Sequence, residues 1–275
     1  MTDRVIDVLD HGFVRLVDSM GDDSSVVRAA RVSYDAGVKT PEEDTRLIRY
    51  LMRNKHTSPF EQVVMVFHIK LPLFVFAQLA RHRTARLNAQ SARYTTMADD
   101  FYLPQPSQIR GQGTGNKQVG DGLLTEEVER KVASEMRWIA RRCYTTYQDL
   151  LDMGVCREQA RMILPQNLYT QCFWQMDLHN LLHFLGLRTA PDAQRETRLI
   201  AEKVAAIVAD AFPLTWGAWV EHVRDAPRLS SSAWRALAGL IDPEAVATAL
   251  AGLPERQRRE VIAQLATAWA AKGGE

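Results

Sequence analysis

The stretch Glu61-Gln62-Val63-Val64-Met65-Val66-Phe67-His68-Ile69-Lys70-Leu71-Pro72, followed by Leu73-Phe74-Val75-Phe76-Ala77-Gln78-Leu79-Ala80-Arg81-His82-Arg83, carries the fold reading. From Glu61 to Leu71, Val63, Met65, Phe67 and Ile69 fall on one face and Gln62, Val64, Val66 and His68 on the other, the period of two of a strand with one well-buried face. Pro72 suits the opening of a helix, so a helix is expected from Leu73 to about Arg83. Strand, turn and helix then deliver Arg81, His82 and Arg83 to one place. Upstream, Phe13 to Val17 reads as a short strand, and Asp22 or Asp23 can cap a helix running towards Arg31 and Val32. Thr40-Pro41-Glu42-Glu43 is a capping box with proline at the first helical position, which predicts a helix from Pro41 to about Asn54 with Leu47, Ile48 and Leu51 inward. Strands mixed with helices in this way make an α/β chain.

Downstream, Gln105 to Gly122 holds five glycines and reads as a long flexible excursion. Its Gly111-x-Gly113-x-Gly115 pattern is no dinucleotide fingerprint, because no apolar strand precedes it and no helix opens from it. A long helix is expected from Thr125 to Asp152, with Gly154 as its C-terminal cap, then helices over Arg157 to Leu164, Asp177 to Leu187 and Pro191 to Phe212. From about Asp225 the composition shifts to Ala, Leu and Arg, and Asp242-Pro243 and Pro254 open two more helices. Residues 225–275 therefore read as a helical extension used for packing or assembly, after a catalytic domain over residues 1–224.

Composition sets the outer bounds. The 275 residues are 46% hydrophobic and 24% charged, which excludes a disordered chain. Thirty-four basic residues against 33 acidic ones leave a net charge of +1, so no global field argues for nucleic acid or an anionic membrane as a partner. Cys143, Cys156 and Cys172 are odd in number and have no Cys-x-x-Cys spacing, which supports neither a disulfide framework nor a cysteine-rich metal site. Met1 to Asp10 lacks the apolar core of a signal peptide, and no uncharged apolar run reaches the length of a membrane span. A cytoplasmic location is expected.

The chemistry concentrates between Arg81 and Tyr94, where four arginines, a histidine and Ser91 occur without one carboxylate. Guanidinium forks match phosphate oxygens bidentately and a hydroxyl adds a donor, so a phosphate-bearing ligand is the natural partner. A solvated basic face is the competing reading. His179 and His183 have the i, i+4 spacing of a shared metal, but a third ligand is not evident and Asn180 stands where a zinc protease has its glutamate, so no metal is expected. His68, Tyr169, Phe173 and Trp174 read as core or interface residues.

Arg81-His82-Arg83, seven residues, Ser91 and then Arg93-Tyr94 resembles the signature of the flavin-dependent thymidylate synthases. Ala30-Arg31-Val32-Ser33, His56-Thr57-Ser58-Pro59-Phe60-Glu61, Gln78, Glu158 with Arg161 before Ile163-Leu164-Pro165, Asn167-Leu168-Tyr169-Thr170 and Leu187-Arg188 recur in that family's order, over roughly Val5 to Val223. The resemblance implies a mainly antiparallel sheet flanked by helices. It also implies reductive methylation of dUMP to dTMP at C5, with FAD as cofactor and NADPH and methylenetetrahydrofolate as co-substrates. No cysteine lies in the arginine motif, and flavin chemistry removes the need for one. By matching position, Gln78, Arg81, Ser91, Arg93, Arg161 and Arg188 are implied to bind the nucleotide, and Ser33, His56, Ser58, Arg81, His82, Arg83, Asp177 and His183 the flavin. Arg188, Ser91 and His56 are the candidate catalytic residues. Arg188 would polarise the pyrimidine, and Ser91 is read as a phosphate-binding hydroxyl before a nucleophile. A homotetramer with active sites shared between subunits is also implied.

Departures from the family pattern bear on the substrate. Arg86 replaces the usual serine, Ala89 stands where glutamate or glutamine is common, and Asp177, His179 and Asp192 stand where Asn, Arg and His are common. Two alternatives follow: a UMP C5-methylase of nucleoside-antibiotic biosynthesis in the same family, and a degenerate, non-catalytic protein that binds flavin or nucleotide.

Overall fold

The computed structural model describes residues 5–34, 40–114 and 120–272. The chain divides into two units, Met1–Arg224 and Asp225–Glu275. In the first, β1 (Val5–Val8) and β2 (Gly12–Met20) form a hairpin. Gly12 faces a close backbone approach there, because a Cβ on it would lie 2.8 Å from the carbonyl oxygens of Val8 and Lys70. Asp22 caps α1 (Asp23–Arg31) by accepting from Ser25 N, and a 3-10 turn over Val32–Tyr34 follows. The Thr40 and Glu43 box opens α2 (Pro41–Arg53), whose Ile48 and Leu51 are buried. A single turn, α3 (Ser58–Glu61), leads into β3 (Val64–Pro72), α4 (Leu73–Leu79) and β4 (Arg86–Ala89). Beyond a 3-10 turn at Pro106–Gln108, β5 (Gly111–Gln112) pairs with β6 (Gly120–Gly122). Gly115 of the glycine pattern lies outside the described residues. Thr125 caps α5 (Glu126–Asp152), and Gly154 follows it at φ +88°. Then come α6 (Arg157–Ala160) with a 3-10 turn over Arg161–Ile163, β7 (Tyr169–Asp177), α7 (Leu178–Arg188), α8 (Arg195–Ala211), α9 (Pro213–Trp219) and a π turn over Val220–Arg224. The second unit holds α10 (Ser231–Ala238), α11 (Pro243–Ala249) and α12 (Glu255–Lys272) around Ala238, Val246 and Leu265.

The main sheet runs β1-β2-β3-β7-β4 and every pairing is antiparallel, as the resemblance implied. Met65, Phe67, Ile69 and Leu71 from β3 and Cys172, Trp174 and Met176 from β7 point to the helices and join one core with Ile48, Phe184, Ile200 and Val204. The opposite face holds Phe13, Arg15, Val66, His68, Gln171 and Phe173. His68 stacks on Phe173 at 4.9 Å and uses both ring nitrogens, Nδ1 with Arg15 and Nε2 with Gln171. Trp174 and Tyr169 are core residues as expected, whereas Phe173 is 44% exposed because its odd register puts it on that second face.

Several expected boundaries move. The strand begins at Val64 and not Glu61, because Ser58-Pro59 opens a helical turn that runs to Glu61 and buries Phe60. The helix after Pro72 stops at Leu79, four residues short of the expected end, so Arg81, His82 and Arg83 lie in turns closed by His82 N to Leu79 O (3.0 Å) and Ala85 N to His82 O (3.1 Å). The helix expected from Pro191 begins at Arg195. Strands β4 and β7 were not anticipated, and α9 and α10 are further helices. The Gln105 to Gly122 excursion contains the 3-10 turn and the β5–β6 ribbon.

Candidate active site

Helix α7 places Arg188. Asp177 caps it, accepting from Asn180 N at 2.9 Å and Asn180 Nδ2 at 2.8 Å, and Leu178, Leu181, Leu182, Phe184 and Leu185 are buried along it. Arg188, its last residue, donates from Nε to His82 Nε2 at 3.1 Å and from Nη1 to Gln78 Oε1 at 3.0 Å. Two acceptors thus hold the guanidinium from two of its edges, while Nη2 makes no hydrogen bond among the described residues. The His82 ring meets Phe184 edge-on at 4.8 Å. Burial, then the Arg188 charge, then His183 push its pKa down to about 4. His82 is accordingly a neutral imidazole near neutrality, accepting at Nε2 and carrying its proton on Nδ1. Gln78, on α4, passes the chain of hydrogen bonds on from its Nε2 to Gln194 Oε1 at 2.5 Å.

A second cluster forms where β4 ends. Gln90 N donates to Gln171 O at 2.8 Å, and the Ser91 carbonyl accepts from Tyr94 N and Thr95 N, which makes a turn. Ser91 Oγ accepts from Arg93 N at 3.3 Å, and the Arg93 guanidinium pairs with Glu158 at 2.7 Å. No imidazole or carboxylate hydrogen-bonds Ser91 Oγ among the described residues. Arg161 lies one turn beyond Glu158. Arg81, Arg83, Arg86 and Arg161 are exposed and form no ion pair among the described residues. Four uncompensated guanidinium groups suit phosphate oxygens.

No hydrogen bond joins the Gln78, His82 and Arg188 cluster to the Ser91, Arg93 and Glu158 cluster among the described residues. His56 is exposed just beyond α2, its ring edge-on to Tyr50 at 5.6 Å. Ser33 lies exposed in the turn after α1, and Ser58 opens α3, which packs against both α1 and α7. His183 is exposed on α7. These hydroxyls and imidazoles, with Arg81 and Arg83, are by chemistry a set of the donor types that a diphosphate-bearing flavin takes. Its one carboxylate, Asp177, already has both oxygens engaged by Asn180. No group of three or more His, Cys, Asp or Glu side chains that could hold a metal occurs among the described residues. A cavity of about 210 Å³, lined in part by Asp10, Tyr102, Gln105, Gln108 and Arg195, contains none of the expected site residues.

Gln194 is the residue that sequence reading missed. It sits outside every motif and reads as an ordinary polar residue at a helix start. Only the packing of α4 against α8 brings it to Gln78.

The family model for thymidylate synthase complementing protein matches residues 15–214. The flavin-dependent thymidylate synthase of Thermus thermophilus is 50% identical over 248 residues, covering 90% of each chain. That of Rickettsia prowazekii is 43% identical over 272 residues, covering 94% of this chain and 92% of its own. The crystal structure of the UMP/dUMP methylase PolB from Streptomyces cacaoi bound with 5-Br dUMP superposes with a TM-score of 0.72 at 34% identity, covering 81% of this chain and all of that one. The same methylase bound with 5-Br UMP gives 0.71.

Proposed function

The chain belongs to the flavin-dependent thymidylate synthase family, and from that premise we propose that it methylates dUMP at C5 to dTMP, with FAD, NADPH and methylenetetrahydrofolate. The observation that carries this reading is the held Arg188, whose Nε and Nη1 are spent on His82 and Gln78 while Nη2 stays open. A cation fixed before the reaction stabilises charge that develops on a pyrimidine carbonyl as C5 turns nucleophilic, and it does so without reorganising. His82 keeps Nε2 as an acceptor for Arg188 and therefore takes no proton from the substrate at that atom. Arg81, Arg93, Arg161 and the Ser91 hydroxyl hold the nucleotide phosphate, with Gln78 near the sugar. Glu158 orients Arg93. When bound, the flavin supplies hydride and one-carbon transfer chemistry. Ser33, His56, Ser58, Arg81, His82, Arg83, Asp177 and His183 hold it.

We assign residues 1–224 to the catalytic domain and residues 225–275 to assembly. A homotetramer with shared sites, as the family resemblance implies, is part of this reading. Met136, Trp138 and Ile139 on α5 also leave apolar surface uncovered, with Trp138 63% exposed. No helix among the described residues is long and apolar enough to cross a membrane. Free Cys143, Cys156 and Cys172 support a reducing, cytoplasmic setting.

One observation favours UMP as a second substrate. Ala89 stands where the family commonly has a carboxylate or amide, and here its methyl group packs against the core opposite Cys172, so the position offers no polar group to the sugar. The PolB neighbour is itself described as a UMP/dUMP methylase. Competition between dUMP and UMP, followed by mass spectrometry, tests the choice. A dominant dTMP product supports the main reading, and preferred methylation of UMP replaces it with the second.

A further inference from the structure

The geometry points to Gln194 as a positioning residue that sets which way the Gln78 amide faces and so holds the Arg188 guanidinium ready for the nucleotide. This rests on the nucleotide-methylating reading of the site.

An arginine donates and never accepts, so the Gln78 atom at 3.0 Å from Arg188 Nη1 has to be Oε1. Gln78 Nε2 then points the other way, where Gln194 Oε1 accepts from it at 2.5 Å in an exposed hydrogen bond that fixes the acceptor's place, as mobile water would not. Without that acceptor the terminal amide can turn over, because its torsion is broad and roughly two-fold. The turned amide sets its NH2 group against Arg188, donor against donor. Gln194 is committed to this task. It occupies the N-cap position of α8, yet its side chain makes no cap hydrogen bond, and only its backbone carbonyl serves the helix, accepting from Arg198 N at 2.9 Å. The platform beneath it is rigid. Thr197, Ile200, Ala201 and Val204 are fully buried, and Glu196 accepts from Tyr102 Oη at 3.0 Å. A chain of three hydrogen bonds therefore runs from α8 through α4 to the end of α7 and stops at His82.

The test compares Gln194→Met, which keeps the length and removes the acceptor, with Gln194→Glu, which keeps an acceptor. Calorimetry on the flavin-loaded protein gives the Kd for dUMP and UMP, and NMR of the His82 ring gives its titration midpoint without any nucleotide. One hydrogen bond of the usual net strength corresponds to about a fivefold rise in nucleotide Kd for Gln194→Met. In the same variant the His82 midpoint rises towards that of a free histidine, because Arg188 presses on it less steadily. Gln194→Glu recovers nucleotide affinity to within about twofold of the parent. Unchanged affinity and an unchanged His82 midpoint in Gln194→Met overturn the proposal. An equal loss in both variants also overturns it, since that marks a packing role and not an acceptor role. Parent protein that binds neither nucleotide sinks the functional reading itself, and the His82 midpoint still decides whether Gln194 orients the amide.

Discussion

Acidification should destabilise the fold while the Arg188 grip on neutral His82 is still in place, and the size of the effect follows from His82. Its folded pKa is about 4 against an ordinary value of 6.5, with burial as the main cause and the Arg188 charge next. Above about pH 6.5 the imidazole is neutral in both folded and unfolded chains. As the pH falls from there towards 4, the unfolded chain takes up a proton that the folded one refuses, so stability is lost across that window. Below about pH 4 the folded state protonates too, and this group contributes no further loss. The full gap corresponds to about 3 kcal/mol, and because His82 is half exposed, solvent screening leaves about 1–2 kcal/mol. The assay is urea unfolding at several pH values between about 7 and 4.5, for the parent and for His82→Gln, whose amide oxygen can still accept from Arg188. The difference between the two proteins cancels contributions from other titrating groups, His222 included. The parent should lose about 1–2 kcal/mol more than the variant over this range. Parallel curves for the two proteins, or an NMR midpoint for His82 near its ordinary value, would refute the reasoning.

Three further outcomes are expected. Arg188→Lys keeps the charge but cannot bond His82 and Gln78 from one planar fork, so kcat/KM for the nucleotide should fall by about 100-fold; activity within a few-fold of the parent would remove the fork from the mechanism. Asp177→Ala should cost about 1 kcal/mol of stability through the lost cap of α7, and Asp177→Asn only a few tenths; an equal cost in both, measured by urea unfolding, would show that the negative charge matters beyond capping. Phe67→Ala opens the sheet's core face where Phe67 is fully buried, and should cost about 3–5 kcal/mol; a urea midpoint close to that of the parent would mean the core collapses around the gap.

The parts of this fold legible in the sequence are those whose local signal agrees with their tertiary surroundings. The Thr40 capping box and the period-two pattern from Val63 to Ile69 are local statements, and the structure adopts both with small shifts at their ends. Strand β7 also alternates, burying Thr170, Cys172, Trp174 and Met176, but Gln171 and Gln175 between them look like loop residues until β3 and β4 pair on either side. Strand β4 alternates over only four residues, too few to mark a strand. Arg86 and Asn88 become a strand only because β7 offers an open edge for hydrogen bonds. The site divides in the same way. The arginine motif announces itself by composition, whereas the Arg188, His82, Gln78 and Gln194 chain depends on three separate helices meeting. Asp177 illustrates the converse, since a departure from the family pattern also serves as a helix cap, a role for which Asp and Asn are equivalent.

The most direct test of the central claim is a labelling experiment. The purified protein is loaded with FAD and given NADPH, dUMP and methylenetetrahydrofolate carrying ¹³C in the methylene group. The account predicts dTMP with ¹³C in its C5 methyl group, formed only when all four components are present, and much reduced when Arg188 is replaced by lysine. Flavin-loaded protein that transfers no label to either dUMP or UMP would contradict it.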